Sequence, residues 1–216
     1  MPADVKICCI RSVDEAQMAA DAGAGLIGLV GPMPSGPGVL TLNVAEEIAR
    51  SAPPGVRRVL LSASATAGDL LRDCMRAGTY ALQVVRHVPA AVHVRLAGLN
   101  PDIERIQVVH VEGRSAIDLV REYSPVVDAI ILDSGQPSTG RLGGTGKTHD
   151  WNISRECVDA ASTPVFLAGG LTPDNVAEAI ARVRPDGVDI CSGISTDGIL
   201  DRLKLDAFMQ AVRTAS

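Results

Sequence analysis

The stretch Ala129-Ile-Ile-Leu-Asp133-Ser-Gly-Gln-Pro-Ser-Thr-Gly140-Arg-Leu-Gly-Gly-Thr-Gly146-Lys-Thr-His-Asp-Trp151 decides how the chain is read. It opens on a continuous apolar run, the mark of a parallel strand covered on both faces. The run ends on a carboxylate, Asp133. A loop rich in Gly, Ser, Pro and Thr follows, too long to be a simple connector. In α/β chains the loops after the strands open on one face, and chemistry gathers there. Asp133 is therefore a candidate site residue.

Working outward, the same alternation recurs. Strands are expected at Val5–Ile10, Leu26–Val30, Arg57–Leu61, Tyr80–Val85 and Arg105–Val111 before this stretch, and at Pro164–Leu167 and Gly187–Ile190 after it. Helical patterns separate them. Ser12 is placed to cap the first helix and Gly23 to stop it, and Thr41 caps the second. Gly31-Pro-Met-Pro-Ser-Gly-Pro-Gly38 cannot be helical. Eight strand–helix units in 216 residues predict a single-domain (β/α)₈ TIM barrel over residues 1–216. A doubly wound open sheet is the fallback. No glycine fingerprint follows the first strand, which disfavours a dinucleotide fold.

Composition narrows the function. Hydrophobic residues make up 46% of the chain and aromatic residues only 2%, so Ala, Val, Leu and Ile must build the core. A net charge of −5 without a basic run excludes electrostatic steering to nucleic acid, and the scarcity of aromatics argues against base stacking. No apolar run reaches membrane-span length, and no signal peptide is apparent. Five cysteines, at 8, 9, 74, 157 and 191, have no CxxC spacing. Neither a disulfide framework nor a zinc site is expected, and a reducing cytoplasm is the expected compartment. The histidines lack ligand spacing, so no metal is assigned. Residues 140–148 approach a P-loop pattern, but no strand runs directly into it, and nucleotide binding is discounted. No cofactor is expected.

In a barrel the strand ends converge. Strand 1 brings Cys8 or Cys9, strand 6 brings Asp133 and strand 8 brings Asp189. Alternation lets only one of the two cysteines face inward, and Cys8 does so if Lys6 does. Lys6 is either a lumen cation that lowers the thiol pKa or a charge at the strand start. A thiol and a carboxyl group across the mouth can act as base and acid. Gly169-Gly170 after strand 7 and Ser192-Gly193 after strand 8 stand on the two loops that usually hold phosphate in this fold. The expected partner is a small phosphorylated sugar, bound by a monomer or weak homodimer.

These residues carry a resemblance. Lys6-Ile-Cys8-Cys9 is similar to the Lys-x-Cys-Gly opening of phosphoribosylanthranilate isomerases of tryptophan biosynthesis. Leu132-Asp133-Ser134, Gly143 through Trp151, Leu167 through Val176 and Val188 through Gly193 resemble that family's further motifs, in order. The resemblance implies a cofactor-free barrel and an Amadori rearrangement of an aminoaldose to a ketose. It implies Asp133 as general acid, Cys8 as general base and Asp189 near the anthranilate amine. Lys6, Gly144 and Gly146 join Asp189 as substrate-binding candidates, with phosphate on Gly169, Gly170, Ser192 and Gly193.

The departures fall on the aglycone side. The family's Ser-Pro-Arg, whose Arg holds the anthranilate carboxylate, aligns with Gly36-Pro37-Gly38. Loss of such a charged hydrogen bond costs about 1.5–3 kcal/mol. Cys9 replaces a Gly. The family's Leu-Gln-Leu-His-Gly reads Leu82-Gln83-Val84-Val85-Arg86, with Arg86 as a conceivable replacement cation. Leu200 stands for a Lys, and Asp201 is retained. Kept acid, base and phosphate loops beside an altered aglycone side suit a paralogue with another amine portion. The alternatives are an isomerase of a different phosphorylated sugar or a non-catalytic sugar-phosphate binder.

Overall fold

The computed structural model describes residues 3–34, 36–135 and 148–215. Eight parallel strands close on themselves: β1 Asp4–Ile7, β2 Leu26–Val30, β3 Arg57–Ser62, β4 Ala81–Val84, β5 Glu104–His110, β6 Ala129–Asp133, β7 Val165–Leu167 and β8 Gly187–Ile190. Closure is by β1 on β8, with Val5 opposite Val188 and Lys6 opposite Asp189. Eight helices cross between strands or follow the last one: α1 Val13–Ala22, α2 Leu42–Ser51, α3 Ala67–Arg76, α4 Ala90–Leu99, α5 Ser115–Tyr123, α6 Trp151–Ala160, α7 Val176–Val183 and α8 Arg202–Ala215. The expected (β/α)₈ barrel is therefore the observed fold, and the open sheet is excluded.

Strand alternation sorts the apolar residues into two layers. Leu26, Val59, Ile106, Val108, Ile131 and Phe166 belong to the packing inside the barrel. Ile27, Leu60, Leu82, Val109, Ile130 and Leu132 face the helices. Both faces of every strand are buried, which explains the unbroken apolar runs.

Local chemistry sets the element ends. The Ser12 hydroxyl accepts the Glu15 amide at 3.1 Å, and Glu15 in turn accepts the Arg11 amide at 2.7 Å. This reciprocal arrangement resembles a capping box. Gly23 ends α1 in the left-handed region, at φ 98°. Thr41 caps α2 through the Val44 amide at 3.3 Å.

One element escaped the sequence reading. After β8 come a single 3₁₀ turn, Ser192–Ile194, and a two-stranded ribbon, β9 Ser195–Thr196 with β10 Ile199–Leu200. Asp197 and Gly198 form its turn with φ of 52° and 76°. Two-residue strands carry no readable periodicity. The ribbon is tied back to β1–α1, because the Leu200 amide donates to Glu15 at 3.1 Å and the Arg11 guanidinium donates to the Gly198 carbonyl at 2.8 Å.

Candidate active site

The C-terminal mouth of the barrel forms a cavity that is open to solvent. Cys8, Asp133, Asp189, Gly169, Gly170 and Ser192 all line it. The residues expected to act together, spread over 185 positions of sequence, thus share one cavity.

Strand parity resolves the first question. Lys6 and Cys8 lie on the inner face of β1 and its extension. Lys6 is 1% exposed, and its ammonium donates to Asp189 Oδ1 at 2.9 Å. A lysine so deeply buried is retained only with a partner. The register supplies that partner, since Lys6 and Asp189 are opposed across the closing seam. Burial alone would lower the Lys6 pKa; Asp189 and Cys8 outweigh it and hold the ammonium above its ordinary value. Lys6 is not among the residues that line the cavity, and its ammonium is paired with Asp189, which does line it.

Cys8 is a free thiol. Its pKa is pushed up to about 11, first by burial, with Lys6 pulling down and Asp189 pushing up. Of the two readings of Lys6, the cation that lowers the thiol pKa is present, but desolvation outweighs it. Asp133, at the end of β6, is half-buried, and its pKa is pushed up to about 6. Burial is the main cause, Asp189 adds to it, and the Ser134 amide, donating to Oδ1 at 2.7 Å, opposes it. A carboxyl group titrating near neutrality is suited to donate a proton.

Room for the thiol comes from a residue that sequence reasoning passed over. A Cβ on Gly28, in the middle of β2, would stand 2.8 Å from Cys8 Sγ and 3.0 Å from Lys6 Nζ. The signal was present: a glycine inside a buried strand marks a close approach.

The turn after β7 has Gly169 and Gly170 in succession at φ 80° and 64°. Successive amides in such a turn form an anion-binding concavity. Gly193 has no side chain, which lets its loop pack on the Leu171 carbonyl. The last two loops are thus in contact, and Ser192 faces the same cavity as the two glycines. Gly144 and Gly146 lie outside the described residues.

The opposite wall is apolar: Val30, Met33, Leu61, Val85, Val108 and Ile131. Among the described residues no arginine lines this cavity. Arg86 is exposed and is not among the residues that line the cavity. Gly38 has φ 71°, and a Cβ there would stand 3.2 Å from the Cys9 carbonyl oxygen and Cβ. A side chain at this position is therefore strained and crowded against Cys9.

The cysteine expectation needs correction. Cys9 and Cys191 form a disulfide, with Cα atoms 5.8 Å apart, although 182 positions separate them in sequence. Barrel closure brings the ends of β1 and β8 side by side, and sequence spacing cannot report that proximity.

Fold and site together define a class: (β/α)₈ barrels with a thiol, a carboxyl group and a glycine turn at one mouth. The sequence profile described as N-(5'phosphoribosyl)anthranilate (PRA) isomerase matches residues 5–211. Among curated relatives, N-(5'-phosphoribosyl)anthranilate isomerase 2 of Methanosarcina mazei is 36% identical over 97% of this chain and 93% of its own. The isomerase of Haloferax volcanii is 38% identical over 98% of this chain and 93% of its own. Of solved structures, phosphoribosyl anthranilate isomerase from Thermococcus kodakaraensis superposes with a TM-score of 0.80 at 30% identity, covering 98% of this chain and 99% of that one. Another, with reduced 1-(o-carboxyphenylamino)-1-deoxyribulose 5-phosphate bound, gives 0.81 at 25% identity with the same coverage. The chain belongs to the N-(5'-phosphoribosyl)anthranilate isomerase family.

Proposed function

We propose that the chain catalyses the Amadori rearrangement of N-(5'-phosphoribosyl)anthranilate, an aldose–ketose isomerisation without cofactor. The observation that carries this is the convergence of Cys8, Asp133 and the Gly169-Gly170 turn on one cavity. The phosphate sits against Gly169, Gly170, Ser192 and Gly193. Asp133 protonates the furanose ring oxygen, and the C1–O bond breaks to leave a protonated Schiff base. Asp189 lies near its nitrogen, where a negative charge stabilises the iminium. The Cys8 thiolate then removes the proton from C2, giving a neutral enolamine. Loss of the enol proton and protonation of C1 yield the ketose. Lys6 serves as the counter-ion that holds Asp189 in place.

The working form has a thiolate at Cys8 and a protonated Asp133, whereas the pKa values favour the reverse. Both forms carry one proton in total, so activity follows the singly protonated pair. Every residue in this scheme comes from one chain, so a monomer or weak homodimer suffices. We assign the reaction to the cytoplasm.

A second reading has its own support. Gly36-Pro37-Gly38, where the family's motif has an arginine, and the apolar wall favour the same chemistry on a phosphoribosylamine with an uncharged aglycone. One assay separates the two. Purified protein is mixed with phosphoribosylanthranilate, and loss of anthranilate fluorescence is followed. Turnover saturating at micromolar substrate supports the first reading. Turnover that fails to saturate, with faster reaction of the aniline analogue, supports the second. No reaction of either compound overturns both.

A further inference from the structure

The chain departs from its family's motifs at two positions that are far apart in sequence and bonded in space. Cys9 stands where the Lys-x-Cys-Gly opening has glycine, and Cys191 where the strand 8 motif has serine. The two side chains form one disulfide. We propose that Cys9–Cys191 is a redox-responsive site, opened by a dithiol reductant, that couples the position of Cys8 to that of the phosphate turn.

Three observations support the assignment. First, location: Cys9 directly follows Cys8, and Cys191 directly precedes Ser192. The bond therefore fixes the separation between the proposed base and the phosphate loop. Second, backbone conformation: Cys9 has φ 64°, one of three described non-glycine residues with positive φ. The glycine-like conformation has been kept although the residue has changed. A side chain there is disfavoured, so something must hold it. The covalent bond to Cys191 does so. Third, access: both cysteines are half-buried and both line the cavity, within reach of a small or protein dithiol. Both cysteines also line an adjoining space, with Arg11, Glu15, Gly38, Ser195 and Leu200.

The chemistry is thiol–disulfide exchange. One thiolate of the reductant attacks a sulfur of the Cys9–Cys191 bond, and the other cysteine leaves as a thiolate and takes up a proton. The second thiol of the reductant then attacks the mixed disulfide. The protein gains two electrons and two protons, and the reductant becomes a cyclic disulfide. Cys8 remains a thiol throughout. In the reduced protein Cys9 has no anchor for its left-handed conformation. The loop relaxes toward ordinary backbone angles, and Cys8 and Ser192 are no longer held in register.

The test uses the intact chain. Non-reducing peptide mapping of the Cys8→Ser variant, where Cys9 is the sole cysteine of its peptide, is expected to show Cys9 linked to Cys191. In wild type, dithiothreitol is expected to raise KM for the phosphorylated substrate roughly tenfold, the factor expected from freeing one left-handed residue. Inorganic phosphate affinity, measured by calorimetry, should weaken in parallel. The C9G/C191S double variant, which restores the family's residues, should show no response to dithiothreitol. Only the kinetic arm rests on the isomerase reading. The cross-link map and the phosphate titration stand without turnover, so failure of the two ideas is distinguishable. Free thiols at both positions after purification in air would overturn the proposal. So would a reduced protein with unchanged phosphate affinity, or a double variant that still responds.

Discussion

The two halves of the barrel mouth are built on different physics. On the arc formed by β6, β7, β8 and β1, charged groups gather: buried Lys6 and Asp189 and half-buried Asp133, around the Cys8 thiol. On the arc from β2 to β5 the cavity wall is aliphatic, with Val30, Leu61, Val85 and Val108 and the amide of Gln83. The first arc can move protons. The second can only select a shape. A relative that keeps the first and alters the second retains a reaction while changing what it is performed on.

Substitutions on the two arcs should therefore differ by orders of magnitude. Asp133→Asn keeps the shape but cannot donate a proton, and kcat should fall by about 10²–10⁴-fold, measured by steady-state fluorescence. A loss below tenfold would erase the contrast. Next in size is Lys6→Met. It leaves Asp189 buried and unpaired, and urea denaturation should show a loss of about 3–5 kcal/mol. Gly28→Ala follows, since the added methyl group collides with Cys8 Sγ. We expect an activity loss of roughly tenfold or more, with stability lowered by about 1–3 kcal/mol as for other overpacked cores. An active and stable Gly28→Ala variant would show that Cys8 can work from another position. Smallest is Val108→Ala on the aliphatic arc, where kcat should stay within about threefold and KM should rise. Its cavity should cost about 1–3 kcal/mol of stability.

The pH dependence bears on the polar arc alone. The proposed pair must hold one proton. Below about pH 6 Asp133 takes up a second proton while Cys8 keeps its own, and activity is lost. Above about pH 11 Cys8 loses the last one. The kcat/KM profile should rise through about pH 6 and hold level through neutral and mildly alkaline pH. In Asp133→Asn the inflection near pH 6 should be lost, and the residual activity should climb with pH toward the Cys8 pKa of about 11.

The barrel was legible because its strands are buried on both faces. Apolar runs such as Ile130–Leu132 and Leu26–Val30 identify parallel strands without further help. The acid and the thiol were legible because each stands where such a run ends. Gly169-Gly170 could be read because glycine pairs after late strands match a known anion site. The rest depends on closure. Lys6 meets Asp189, and Cys9 meets Cys191, only when β1 pairs with β8, and no local pattern encodes that seam. The direction of the Cys8 pKa stayed open for a related reason. A neighbouring cation is visible in sequence, but the depth of burial that outweighs it is not. Arg86 illustrates the converse, since a cation near the right strand in sequence is not among the residues that line the cavity.

The account rests on Cys8 as the group that takes the C2 proton, and Cys8→Ala tests this most directly. The variant should remain folded by circular dichroism and bind inorganic phosphate like wild type. Its kcat on phosphoribosylanthranilate should fall at least about a thousandfold, within the range for removal of a general base. A folded Cys8→Ala protein that keeps a tenth or more of wild-type turnover would contradict it.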